Sequence, residues 1–365
     1  MLRILHVFGG LNCGGAETMI MNLYRKIDKE KIQFDFISHT GYEQAYEKEI
    51  RSLGGKIYKF QKFDGKNVKA MIKIWDDFFL EHSEYKIIHS HVRSYASLYL
   101  PIATKHGLKT IIHSHSISNG KSIKSVIKKC MQFPLRYQAD YYFACSIEAG
   151  RWLFGKKIIK NDNFFVLKNA IDVSKYQFDC KIREEYRKKL NLEANKVYIQ
   201  IGRLSIEKNY YFTLNVIKKL YARDKSVRLL IVGEGDELKK ISHEVEILGL
   251  KECVIFLGLR SDVPKLLQAA DCMLFPSLWE GLGIAAVESQ ATGLKTICSK
   301  NVPSTILMTA NCIQLPLIED LWIKEASNLQ YNRCDESKNI IDAGYDINMT
   351  VQWLENFYLK EWFKD

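Results

Sequence analysis

Two carboxylates, Glu280 and Glu288, bracket a glycine turn in Pro276-Ser-Leu-Trp-Glu280-Gly281-Leu282-Gly283-Ile284-Ala-Ala-Val-Glu288. An apolar, strand-like run ends at Pro276, and a helix is predicted to start near Ile284. The backbone N–H groups of Leu282, Gly283 and Ile284 would then be free to cradle a phosphate. Glu280 lies before this helix and Glu288 one turn into it. Carboxylates are awkward partners for a phosphate, but ionised they accept hydrogen bonds from hydroxyls, such as those of a sugar and a ribose. The competing reading is a pair of general acid and base carboxylates, as in a hydrolase.

A second strand end carries Gly202-Arg203-Leu-Ser-Ile-Glu-Lys208-Asn209. Arg203 as a planar fork and Lys208 as a point charge suit a diphosphate; a plain surface basic pair fits the pattern equally. Near the N-terminus, Gly9-Gly10-Leu-Asn-Cys-Gly14-Gly15-Ala-Glu17 follows a strand and opens a helix. Gly14 and Gly15 permit close backbone approach to an anion, although the segment is neither a G-x-G-x-x-G fingerprint nor a P-loop. His89, His91, His113 and His115 end two further strands as H-x-H pairs, which point to one face. A metal site is one reading, yet neither pair has a carboxylate or thiolate at ligand spacing. The expectation is therefore no metal, with His115 and His91 lining a cleft and His89 and His113 packed or partly solvated. In Gly258-Leu-Arg260-Ser-Asp262, Asp262 is expected to cap a helix, and the backbone beside Arg260 is placed to contact a base.

The segment 121–136 combines lysines and arginine with Ile123, Val126, Ile127, Met131, Phe133 and Leu135 and holds no acid. It reads as an element that can rest on an anionic membrane, against the alternative of a surface helix with its apolar side on the core.

The elements that must position these groups are legible as strands alternating with helices. Candidate strands are 3–8, 34–38, 57–60, 87–91, 110–115 and 141–146 in the first half. In the second they are 197–202, 228–232, 254–257, 272–275 and 295–299. Helices are predicted at 16–27, 42–53, 68–82, 95–106, 284–291 and 351–363. That alternation implies parallel sheets with crossover helices, and in such sheets ligands bind beyond the carboxyl ends of the strands. The 365 residues suit two domains. The polar segment around 172–195 separates them, giving an N-terminal domain of 1–170, a C-terminal domain of 171–349 and a helix at about 350–365 expected to return to the first.

No apolar run approaches a membrane span and no short-period repeat is present. The nine cysteines are odd in number and lack C-x-x-C spacing, so they read as reduced thiols of a cytoplasmic protein. A net charge of +11 fits an anionic membrane, a phosphorylated substrate, nucleic acid or simply a lysine-rich surface. No interleaved aromatic and basic motif supports nucleic acid.

Taken in order along the chain, Gly14-Gly15-Ala16-Glu17, His113-Ser-His115, Asn169-Ala-Ile-Asp172, Gly202-Arg203…Glu207-Lys208-Asn209, Val232-Gly233-Glu-Gly235 and Glu280…Glu288 resemble glycosyltransferase family 4. The resemblance implies a GT-B fold, α/β with two facing Rossmann-like doubly wound domains and an interdomain cleft. It implies a retaining transferase that moves a hexosyl group from a nucleotide-sugar, UDP-linked in our reading, to a glycan or lipid-linked glycan. By that similarity Arg203 and Lys208 hold the diphosphate, Glu288 the ribose hydroxyls and Glu280 the donor-sugar hydroxyls. Gly14 and Gly15 close over the phosphates, and His115 sits by the reacting sugar. No cofactor or metal is expected. Ala285-Ala286 departs from the residues many members carry after E-G-x-G, which bears on sugar preference. The implied context is assembly of capsule, exopolysaccharide or lipopolysaccharide at the inner face of the cytoplasmic membrane. A nucleotide-sugar epimerase of the same fold and a non-catalytic basic binding protein are the alternatives.

Overall fold

Short runs of β-branched and aromatic residues, each buried on both sides, can only be satisfied as central strands covered by helices on both faces. A computed structural model describes residues 1–12, 14–115, 123–329 and 333–363. The chain forms two compact units, one of Met1–Ala170 with Ile347–Asp365 and one of Ile171–Asp346.

The first unit runs β1 (Leu2–Phe8), α1 (Gly15–Lys26), β2 (Ile32–Ser38), α2 (Glu47–Ser52), β3 (Ile57–Lys59), α3 (Val68–Glu81), β4 (Ile87–Ser90), α4 (Ala96–Lys105), β5 (Lys109–Ser114), α5 (Ile123–Gln132), β6 (Tyr141–Ala144), α6 (Ile147–Ile158) and β7 (Phe164–Val166). All neighbouring strands are parallel, in the order β3-β2-β1-β4-β5-β6-β7. Alternation along β1 sends Leu2, Ile4 and Phe8 into one apolar layer and Leu5 and Val7 into the other, which also holds Met71, Trp75 and Tyr99.

The second unit runs α7 (Cys180–Lys189), β8 (Lys196–Ile201), α8 (Tyr210–Arg223), β9 (Val227–Val232), α9 (Leu238–Ile247), β10 (Val254–Gly258), α10 (Val263–Ala269), β11 (Cys272–Phe275), α11 (Ile284–Ala291), β12 (Lys295–Ser299), β13 (Cys312–Leu315), α12 (Glu319–Ser327) and α13 (Ser337–Asp342). Its parallel sheet has the order β10-β9-β8-β11-β12-β13. The chain then enters α14 (Ile347–Trp362), which belongs to the first unit. There Leu354 and Tyr358 are fully buried, and Glu355 accepts the Asp28 N–H at 2.7 Å. Ile171 and Asp346, on either side of the inserted unit, form a parallel bridge.

Several expectations change. The helix predicted over 42–53 is confined to Glu47–Ser52. The residues before it hold the glycine loop instead: the Gln44 side chain accepts the Leu11 N–H, and the Tyr46 N–H donates to Leu11 O at 3.0 Å. The polar segment 172–195 contains α7, whose Arg187 pairs with Asp271 at 3.2 Å while Arg183 donates to Ala270 O at 2.8 Å. Its charge is that of a packed surface helix rather than a spacer. Strands β7 and β13 had no expectation, being three and four residues long at sheet edges.

Candidate active site

Both sheets reverse their strand order once, between β1 and β4 and between β8 and β11. Loops leaving adjacent strands at such a point diverge and open a crevice, where ligands of this fold type bind. The strongest residues of the second half come from the two loops at the β8/β11 reversal.

After β8, Ile206–Lys208 form a 3-10 turn that ends at Asn209 in the left-handed region, φ +55°. The turn is stitched to the other loop: Leu278 N–H donates to Glu207 O at 2.8 Å and Asn209 Nδ2 to Pro276 O at 3.1 Å. Gln200 Nε2 holds Lys208 O at 2.7 Å. The outcome is an ion pair between Lys208 Nζ and the Glu280 carboxylate, which also accepts from Ser277 Oγ at 2.8 Å. The ammonium lies 5.2 Å from the Phe275 ring centroid. The two side chains are 18% and 13% exposed, so the pair is shielded on most sides yet open to a ligand.

Gly283 caps α11 at φ +94°, and a Cβ there would stand 2.9 Å from the Phe275 ring. Only glycine meets both conditions. Among the described residues, the N–H groups of Leu282, Gly283 and Ile284 donate to no protein acceptor, so the helix start is open to an anion. Gly281 begins this turn. Glu288, one turn along α11, accepts from Tyr176 OH at 2.7 Å. Burial raises its carboxyl to about 7, with the tyrosine bond acting in the opposite direction. Tyr176 was missed at sequence level: it lies in the polar stretch after Asn169-Ala-Ile-Asp172, where no spacing pointed to it.

Arg203 follows Gly202 on the same loop and is exposed, its guanidinium without a protein partner among the described residues. Gly233, at φ +135°, brings the next strand end so close that a Cβ would lie 2.1 Å from Gly202 O. Arg260 is engaged by Asp262 through two bonds of 2.8 and 2.6 Å. Asp262 stands at the N-cap position of α10 but makes no cap bond. The expected cap is thus replaced by a bidentate pair, stronger for a carboxylate than a neutral N–H, to which Tyr186 OH adds a contact of 3.0 Å.

In the first unit, Gly14 caps α1 and Gly15 begins it, after the loop from β1; Cys13 is outside the described residues. The histidines gather on one side of the sheet, and a fifth joins them. His6 on β1 pairs in register with His89 on β4. His6 Nδ1 lies 3.0 Å from His91 Nε2, and His91 Nδ1 lies 2.7 Å from His115 Nε2. His89 contacts Tyr358 OH at 2.7 Å and His113 Nδ1 at 3.2 Å. His6, His89 and His113 are fully buried, while His91 and His115 are partly so. Burial pushes His6 down to about 3 and drives His89, His91 and His113 well below the usual range. His115 falls to about 3 through burial, helped by the Arg93 charge. The sequence reading lacked His6, whose one signal was a lone polar residue inside Ile4-Leu5-His6-Val7-Phe8. Two triples, His6/His89/His91 and His91/His113/His115, have nitrogens within 4.8 Å of one another.

Of the basic segment, Lys121 and Ser122 lie outside the described residues. Over 126–136, Val126, Ile127 and Phe133 are 55%, 56% and 54% exposed beside exposed Lys128 and Lys129, while Leu135 is fully buried. A helix with its apolar side on the core would bury Val126 and Ile127.

Two doubly wound parallel sheets in one chain, each reversing its strand order once, define an α/β protein of the GT-B fold. Residues 13–175 match the family described as Glycosyltransferase Family 4, and residues 182–307 match Glycosyl transferases group 1. The two matches together span most of the chain and identify it as a glycosyltransferase. It is similar to the putative glycosyltransferase EpsF of Bacillus subtilis, 29% identical with 98% of this chain and 96% of the relative covered. It is also similar to the UDP-Gal:α-D-GlcNAc-diphosphoundecaprenol α-1,3-galactosyltransferase of Escherichia coli, 24% identical over 80% of each. Among solved structures, Anabaena Alr3699/HepE in complex with UDP superposes with a TM-score of 0.80 at 17% identity, covering 99% of this chain and 100% of that one.

Proposed function

We propose that this glycosyltransferase transfers a hexosyl group, with retention, from a UDP-sugar to a lipid-linked glycan in surface polysaccharide assembly. The observation that carries the reading is the Lys208–Glu280 pair at the β8/β11 reversal, next to the open start of α11. A cation, a free helix N-terminus and two carboxylates offer what a sugar diphosphate needs: positive potential for phosphate oxygens and acceptors for hydroxyls. Arg203 and Lys208 hold the diphosphate, Glu280 the sugar hydroxyls and Glu288 the ribose. Gly202, Gly281 and Gly283 let the backbone approach, and the backbone near Arg260 meets the base. Support for UDP comes from the HepE complex and from the donor of the E. coli relative.

In the reaction the bond from sugar C1 to the diphosphate oxygen breaks, and negative charge grows on that leaving group. Lys208, Arg203 and the N–H groups of Leu282, Gly283 and Ile284 stabilise it, an effect of roughly 10²–10³-fold per donor in comparable sites. The acceptor hydroxyl oxygen attacks the oxocarbenium-like carbon from the face just vacated. Its proton passes to a donor phosphate oxygen, so neither glutamate acts as nucleophile or base. This chemistry requires no metal or cofactor.

A lipid-linked acceptor is favoured by the exposed Val126, Ile127 and Phe133 among lysines and by the diphosphoundecaprenol acceptor of the E. coli relative. No helix among the described residues is long and apolar enough to cross a membrane, so contact would be peripheral. The test is a screen of UDP-, GDP- and ADP-sugars, scored by nucleotide release with extracted lipid-linked acceptors, with EDTA present and absent. UDP release that needs acceptor, survives EDTA and gives an anomer matching the donor supports the reading. Free epimer from donor alone would indicate the epimerase instead.

A further inference from the structure

A cavity of about 470 Å³ opens in the first unit between α14 and strands β6 and β7. That volume falls in the range of roughly 300–1,000 Å³ usual for small-molecule sites. Tyr141 begins β6, and Asp162 and Asn163 directly precede β7. The cavity therefore lies toward the amino ends of these parallel strands, whereas the glycine and histidine loops of the same unit leave the carboxyl ends.

The apolar part of its lining is aromatic. Trp353 and Phe357 follow one another at i and i+4 on α14, and their rings stack at 5.5 Å and 18°. The Phe165 ring lies 5.4 Å from Trp353, and Tyr141 meets Phe357 edge-on at 5.0 Å. Attachment of α14 to the sheet falls to Ile347, Val351, Leu354 and Tyr358, which are buried in the core. Trp353 is exposed. An exposed ring backed by others at the mouth of a cavity offers a flat apolar surface to a ligand.

The polar part of the lining decides what that ligand is. Asp162, Asn356 and Lys360 are exposed and hold no hydrogen bond or ion pair among the described residues. Asn163 donates its amide to Asp140 O at 2.8 Å, which leaves its side-chain carbonyl as an acceptor. Glu361 is buried, and its carboxylate accepts from Tyr141 OH. Two carboxylates against one ammonium disfavour phosphates, nucleotides and anionic lipid. A hydrocarbon chain would strip water from these groups and bond to none of them. A neutral pyranose suits both parts: its C–H face lies on an aromatic ring, and its hydroxyls at the ring edge donate to carboxylate and amide oxygens and accept from an ammonium.

We propose that this cavity is a glycan-binding site that holds a neutral pyranose on Trp353, with its hydroxyls bonded to Asp162, Asn163, Asn356 and Lys360. Every group in the site belongs to the first unit. The site takes no part in the transfer itself. Preference for a sugar is read from the lining alone; that the sugar belongs to the polysaccharide the enzyme helps to assemble rests on the proposed function.

The test is fluorine NMR of the full chain labelled with fluorotryptophan, the Trp353 resonance being assigned by its absence in Trp353→Phe. The probes are glucose, galactose, N-acetylglucosamine and a trisaccharide of each, with UMP and octanoate as contrasts. At least one sugar is expected to shift the Trp353 resonance to saturation, while UMP and octanoate leave it in place. Asp162→Ala and Asn356→Ala change exposed side chains, so the fold is kept, and each should weaken sugar binding roughly tenfold, as loss of one hydrogen bond does. A Trp353 resonance that no sugar moves would overturn the proposal. So would a shift that both variants leave unchanged, or a stronger response to UMP or octanoate than to any sugar. Sugar binding here by a protein that transfers from no nucleotide-sugar leaves the cavity's assignment standing and removes the proposed function. Active transfer with a silent Trp353 does the reverse.

Discussion

Lys208 and Glu280, 72 residues apart in sequence, meet as an ion pair across the two loops that diverge at the strand reversal of the second sheet. Each is thereby held before any ligand arrives: the lysine is anchored by its own loop through Gln200, and the glutamate by Ser277. On the proposed reading, a diphosphate entering this place finds a cation already aimed but already neutralised. Binding must therefore share the ammonium between carboxylate and phosphate, and that sharing separates affinity from turnover.

Glu280→Gln is expected to lower turnover roughly 100-fold, as loss of a group aligned with the reacting sugar does, while UDP binds no more weakly than to wild type. The amide leaves Lys208 without its anion, and phosphate takes the vacancy. Lys208→Ala should weaken both. Calorimetric UDP titration beside initial rates decides it, and a Glu280→Gln protein whose UDP affinity collapses together with its rate would refute the assignment.

Glu288 has its carboxyl raised from 4.5 to about 7 by burial. A raised value means that the protonated form is the one the fold favours. Its contribution is complete below 4.5 and is lost as pH rises through 7. Glu288→Gln should then stabilise the free protein at pH 8, by up to about 3 kcal/mol, and not at pH 4. Ribose hydroxyls favour the ionised carboxylate, so nucleotide binding near pH 6.5 should release a proton. Titrations in two buffers of different ionisation enthalpy measure it, and identical apparent enthalpies would count against Glu288 as the hydroxyl acceptor. Tyr176→Phe removes a bond to the ionised form and should raise the value further.

The histidine array predicts acid sensitivity of the first unit. Its members have folded values depressed below the ordinary 6.5, as low as about 3 for His6 and His115. Their neutral burial is fully stabilising above 6.5 and is lost as pH falls toward 3. Each such group adds up to about 1.4 kcal/mol per pH unit to the slope. Urea unfolding between pH 6.5 and 4 should show a steep decline that His113→Phe makes shallower. A slope indifferent to that change would mean the ring is not buried neutral.

Flotation with anionic vesicles tests the α5 surface. Replacing Lys128 and Lys129 by Glu should abolish association at low salt, since each basic residue near an anionic surface is worth about 1 kcal/mol. Val126→Ser with Ile127→Ser should weaken it with little effect on stability, because both side chains are exposed. Vesicle binding that is unchanged in both variants would remove the membrane from the proposed function.

Much of this was legible in the sequence because buried parallel strands write themselves as apolar runs: Cys272–Phe275 and Lys295–Ser299 fall where the runs do. The start of α11 was legible too, because a glycine forced to φ +94° ends the turn. What escaped depended on tertiary register. His6 joins the other histidines only once β1 lies beside β4, and Tyr176 reaches Glu288 across 112 residues. The Asp262 side chain looked like a cap because capping is local, and it was drawn off by Arg260, a stronger partner two residues away. The region beyond Asn301 carried no motif because it adds the edge strand β13 to the second sheet and then the packing helix α14 to the first unit.

The second unit is threaded into the middle of the first, which resumes only at Ile347. During synthesis this imposes an order. Residues 171–346 can emerge from the ribosome and collapse while the first sheet still lacks α14, so the later-encoded unit is the earlier one to be completed. His89 waits with its ring uncovered until Tyr358 leaves the exit tunnel. A nascent chain stalled before that point carries a complete second unit and an unfinished histidine array, and quality-control machinery would meet it as a half-built enzyme with an open apolar face.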